Sequence, residues 1–227
     1  PATLSRGGLP GPALTRHKRM REDYWKNWIA TTLGRDLARV YGRGYDTDFA
    51  ERILHETVKL QARGEWVQVS SFKYDTRKVR KYLSALRDVF VLKMIPCHEQ
   101  GVGRDVYWLS DPGMLHALSR HESGEEISQA LVRLRVFNEI FANCEYAGKS
   151  ERWTYYKSAK GDPIDLIWGN VPIKIVSSVK QLGWQERALG GAMQTLKSRY
   201  GLLVGPTDSI ELPKKGGVGL VPWTFWS

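Results

Sequence analysis

The stretch that most limits what this chain can fold into is WTYYKSAKGDPIDLIWGNVPIKIVSS, residues 153–178. Three short runs (WTYYKS, IDLIWG and VPIKIVSS) are joined by Gly-Asp-Pro and Gly-Asn, which are turn signals. The spacing predicts a three-stranded meander. Asp165 stands on an otherwise apolar strand, and a carboxylate buried there without a partner would be costly or would protonate. Lys174, on the next strand, supplies that partner, so a buried Asp165–Lys174 ion pair is expected.

Around the meander the periodicity changes to that of helices. Ile127–Cys144 and Trp184–Leu196 read as helices, and Tyr200–Val204 and Val218–Pro222 as strands. An αβββαβ(β) order suits a small mixed sheet flanked by helices. A polar stretch without period, SRHESGEE at 119–126, marks the expected boundary between residues 1–120 and 121–227.

The first part is mainly helical. Trp25, Trp28, Ile29, Leu33, Leu37 and Val40 recur near helical spacing over 18–41, and the Gly-rich YGRGY follows as a stop. Asp46 or Thr47 can cap a second helix that buries Phe49, Ile53, Leu54, Thr57 and Val58. Trp66–Val69 is short and strand-like. In YDTRKVRKYLSALRDV, Val79, Tyr82, Leu83 and Leu86 fall at i, i+3, i+4, i+7 and form one buried stripe. Arg77, Lys78, Arg80, Lys81 and Arg87 all fall off that stripe. Strands at Phe90–Ile95 and Val106–Ser110 enclose the loop CHEQGVGRD, where His98 and Arg104 could meet phosphate. Helix, helix, basic helix and a two-stranded ribbon is the order of a winged helix-turn-helix, whose last helix enters the major groove. The fold class is therefore α+β, a winged-helix portion followed by a mixed sheet.

Composition narrows the partners more than the fold. A formal charge of +10 and a pI near 9.6 favour an anionic partner, DNA first. No run is long and apolar enough to span a membrane. Cys97 and Cys144 lie far apart without a C-x-x-C pattern, which suggests a reducing, cytoplasmic setting and no zinc site. His17, His55, His98, His116 and His121 show no metal-ligand spacing. Gly148-Lys149-Ser150 ends like a phosphate-binding loop, but position 143 is Asn where that loop needs Gly. Residues 1–12, PATLSRGGLPGP, read as a linker, as in the C-terminal part of a longer chain.

Several stretches together resemble the C-terminal region, of unassigned function, of bacterial and archaeal AAA-type ATPases. They are SRGGLP (5–10), W..WIATTLGRDL (25–37), T..VRKYLSAL (76–86), VYWLSDPGML (106–115), Phe137-Asn138-Glu139, IDLIW (164–168), VPIKIVSS (171–178) and GLVPW (219–223). The resemblance implies a winged helix followed by a restriction-endonuclease-like, PD-(D/E)XK-type sheet. It also implies an N-terminal P-loop ATPase module outside these residues, with Arg35-Asp36 a candidate contact to it. Nucleases on such a sheet hold a divalent metal with an Asp and an acidic-x-Lys on the next strand. Here Asp165 keeps the first place, but Lys174 stands where the acid belongs and Val176 where the Lys belongs.

The expected function is thus non-catalytic: a nucleic-acid-binding or partner-docking region, with no cofactor. Its expected contacts are Arg77, Lys78, Arg80, Lys81, Arg87 and Arg104. The enzyme alternative is a Mg²⁺- or Mn²⁺-dependent nuclease around Asp165, completed by Glu139 or Glu186, with Asp162 and Lys180 as further candidates. A pure protein-interaction module is the third reading.

Overall fold

A computed structural model describes residues 6–119, 125–148, 153–159, 161, 163–213 and 215–226. The chain is α+β, and its residues group into two units. One holds residues 1–94 and 106–135, the other residues 95–105 and 136–227. This division differs from a single cut at 120/121 in two ways. It falls inside a helix, and it moves the ribbon's loop to the second unit.

In the first unit, Pro10–Leu14 (α1) forms a short helix where a linker was expected. The arm before it is tied down by Asp111, whose buried carboxylate accepts hydrogen bonds from Gly8 N at 2.7 Å and Leu9 N at 3.2 Å. The same carboxylate caps Pro112–Leu118 (α6) through Gly113 N at 2.6 Å and Met114 N at 3.3 Å. One short acidic side chain thus satisfies main-chain donors from two distant segments, including those at a helix start.

Residues 18–41 form one helical path with an irregular middle. Lys18–Thr31 (α2) and Leu37–Tyr41 (α3) are joined by a π-turn, Thr32–Asp36, where Leu37 N donates to the carbonyl five residues back, on Thr32. The Leu33 carbonyl in this turn accepts from the Tyr45 hydroxyl. Trp25, Leu33 and Leu37 are buried, whereas Val40 is largely exposed.

Asp46 caps Thr47–Ala62 (α4) by accepting from Phe49 N, and Asp75 caps Thr76–Asp88 (α5) by accepting from Lys78 N. Both helices bury the stripes that their periodicity predicts. Between them, Val67 forms a lone antiparallel bridge, and Val69–Ser71 makes one 3₁₀ turn. Leu92–Ile95 (β1) and Val106–Leu109 (β2) pair as a ribbon, and Val67 bridges to Tyr107 of β2.

Glu125–Tyr146 (α7) carries the chain into the second unit. There the strands are Thr154–Tyr156 (β3), Ile164–Trp168 (β4), Val171–Ile175 (β5), Tyr200–Gly205 (β6) and Gly217–Pro222 (β7). They lie in sequence order, antiparallel from β3 to β5 and parallel from β5 to β7. Leu182–Thr195 (α8) makes the crossover from β5 to β6, which a parallel pair requires. Its Leu189 and Ala192, with Leu196 just after it, pack on Ile164, Ile167 and Val176.

The ribbon's loop joins this sheet. Cys97 bridges Tyr155 in parallel, His98 N donates to Tyr155 O at 2.7 Å, and Tyr155 N donates to Pro96 O at 3.1 Å. Val102 N then donates to Lys157 O at 2.9 Å. The Tyr155 hydroxyl donates to Arg104 O at 2.5 Å, passing close to Gly103. A Cβ on Gly103 would come within 2.0 Å of that hydroxyl, so the approach needs glycine.

Candidate nucleic-acid interface and a buried ion pair

The basic residues of α5 do not share one environment. Lys78 Nζ sits 4.0 Å from the centroid of the Phe49 ring and 3.6 Å from Asp46 Oδ2. Lys81 Nζ lies 3.8 Å from the centroid of the Tyr41 ring. Each contact is attractive because the ring face is the negative end of its quadrupole. Arg87 is paired with Asp88 at 2.9 Å and reaches Ser84. Arg77 and Arg80 are exposed and, among the described residues, have no hydrogen bond or ion pair. They are the guanidinium groups of this helix that an outside anion could take without breaking an internal contact.

Beneath these cations lies an aromatic cluster. Tyr82 is fully buried, with Tyr41 at 4.3 Å, Phe49 at 4.9 Å and Tyr45 at 5.9 Å between ring centroids. The Tyr82 hydroxyl accepts from Asp46 N at 2.7 Å and donates to Asp46 O at 3.2 Å. Burial pushes its phenol up to about 12, so it stays a neutral donor. The Asp46 carboxyl is held below the usual carboxylate range, first by the Phe49 N–H and then by the charges of Lys78 and Arg52. The cluster thereby fixes the start of α4 and one flank of α5 together.

Arg104, the remaining expected phosphate contact, is exposed in the loop that belongs to the second unit. His98 is in the same segment, and its Nδ1 accepts from Gln100 N at 3.3 Å.

In the sheet, the β4–β5 register pairs Leu166 with Ile173, which places Asp165 opposite Lys174. Lys174 Nζ lies 3.6 Å from Asp165 Oδ2, and the two residues are 3% and 1% exposed. The ammonium also donates to Pro163 O at 2.6 Å, and Asp165 Oδ2 accepts from Ile175 N at 2.8 Å. Partners of this kind are what make a buried ion pair tolerable, since neither charge could be left alone there.

The other acidic candidates among the described residues lie on helices of the second unit. Glu139 is half-buried on α7, and Glu186 is exposed on α8, where the neighbouring Gln185 faces inward. Asp162, Lys149 and Ser150 lie outside the described residues. Lys180 sits exposed in a 3₁₀ turn at 179–181. Among the described residues, no three His, Cys, Asp or Glu side chains come together as a metal site.

Arg35 and Asp36, in the π-turn, pair with each other at 2.8 Å on the surface. Each shifts the other away from its ordinary range, Arg35 upward and Asp36 downward, through their hydrogen bond.

No family model, curated protein or solved structure matches this chain.

Proposed function

We propose that the helical unit binds duplex DNA through α5, as the recognition helix of a winged helix, and that the chain is non-catalytic. The observation that carries this is the division of labour on α5. Its apolar stripe is buried, Lys78 and Lys81 are held by rings beneath them, and Arg77 and Arg80 are left to solvent. The order α4, Val67 bridge, 3₁₀ turn, α5, β1, β2, with Val67 on β2, supports a winged-helix reading.

The sheet supports the absence of catalysis in this reading. A nuclease of the kind expected needs a second carboxylate opposite Asp165, and an ammonium stands there instead. The second unit then serves as a docking or nucleic-acid platform, and attachment to a P-loop ATPase module belongs to the same proposal.

Duplex binding is tested by fluorescence anisotropy across a salt series. With four phosphate contacts, log K should fall with log[salt] at a slope of about −3.6, at about −0.9 per contact. Replacing Arg77 and Arg80 with Gln should flatten the slope by about 1.8 and leave the folding transition unchanged. An unchanged slope would remove α5 from the interface. Binding to a protein partner but never to DNA would point to the interaction-module reading. Cleavage of supercoiled DNA with Mg²⁺ or Mn²⁺ would overturn the non-catalytic part.

A further inference from the structure

The turn that ends α5 holds a bulky residue in a conformation that favours glycine. Phe90 has φ of +61°, the left-handed region that a side chain enters only at a cost. A strand was expected from this residue, but β1 begins only at Leu92. Phe90 N donates to Arg87 O at 2.9 Å and Val91 N to Leu86 O at 2.9 Å, the paired bonds of a Schellman ending. Ser110 Oγ donates to Phe90 O at 2.6 Å, so the surroundings hold the strained backbone in place.

The same ending closes α4, with Gly64 N bonded to Gln61 O and Glu65 N to Leu60 O. Gly64 carries φ of +73°, the residue choice that suits this position. At Phe90 the strain brings no packing in return. The side chain is 81% exposed and makes no ring contact among the described residues. An exposed, strained aromatic two residues past a basic helix has a function outside the fold as its simplest physical account.

We propose that Phe90 is a nucleic-acid contact: an apolar wedge or stacking face set against a base or sugar beside the duplex that α5 binds. The adjoining helix is strongly basic, so the partner that reaches Phe90 is selected for negative charge. Nucleic acid offers anionic backbone and flat apolar surface together, and aromatic side chains use the second as wedges or stacking platforms. This inference rests on the duplex-binding reading above and adds a contact that carries no charge.

The test is Phe90→Gly, with Phe90→Asn beside it, in the full chain. Both residues suit a left-handed position, so the melting temperature should rise by about 2–4 °C. Affinity for the same duplex should fall about tenfold, while the salt slope stays that of the wild type. A variant more stable than its parent cannot have lost binding by misfolding. If the wild type binds duplex and both variants bind equally well, Phe90 is not a contact and the α5 reading survives. If the wild type does not bind duplex at any salt, the α5 reading falls, and this inference with it.

Discussion

Replacing Lys174 with methionine should cost about 3–5 kcal/mol of stability, because it removes the ammonium that faces the buried Asp165 carboxylate. Urea unfolding at neutral pH measures this directly. Converting both positions, Asp165→Leu with Lys174→Met, should recover most of the loss, since a buried pair is often no better than apolar residues of similar volume. Recovery will be incomplete, as Ile175 N loses the acceptor it has at 2.8 Å. A deficit below about 1 kcal/mol would mean that the pair contributes no more than an exposed one.

The second large effect concerns fragments. A chain cut at 120/121 should leave residues 121–227 unable to fold cooperatively. The segment 95–105 supplies backbone partners to Tyr155 on β3 and to Lys157 just after it. Without it, β3 is left with an unpaired edge, which invites association between chains. Dispersion of amide resonances and a cooperative thermal transition report the outcome. A fragment as well folded as the intact protein would show that 95–105 is only an appendage. In the intact chain, Gly103→Val should cost about 1–3 kcal/mol through overpacking against the Tyr155 hydroxyl, a loss the fragment result does not depend on.

What could be read in advance follows from which groups carry the information. The buried stripe of α5 and the Asp46 cap are side-chain signals, and the structure places both as the sequence suggests. Asp165 and Lys174 face each other because one two-residue turn, Gly169-Asn170, fixes the β4–β5 register, and those residues also mark it in the sequence. The loop at 95–105 was illegible for the opposite reason. It binds β3 through main-chain N–H and C=O groups, which every residue possesses, so no periodicity records the pairing. The arm at 6–9 reads as a linker because Gly8 and Leu9 meet Asp111, more than a hundred residues away, only through backbone N–H groups. The strand expected over Phe90–Ile95 begins only at Leu92, because Phe90 takes part in the Schellman bonds at the end of α5. The difference between tethered Lys78 and Lys81 and free Arg77 and Arg80 depends on rings from other helices, which spacing along α5 cannot reveal.

The π-turn at Thr32–Asp36 bears on how this chain tolerates changes of length. In an α-helix each residue turns the path by about 100°, so losing one residue from α2 would swing every later side chain off its buried side. A π-turn already holds one residue more than the regular winding requires. Deleting Gly34 would let the hydrogen bonds close at ordinary α spacing, with Trp25 and Leu37 still facing the interior. The helix therefore contains a point where the gene can shorten by one codon and leave both flanks in phase.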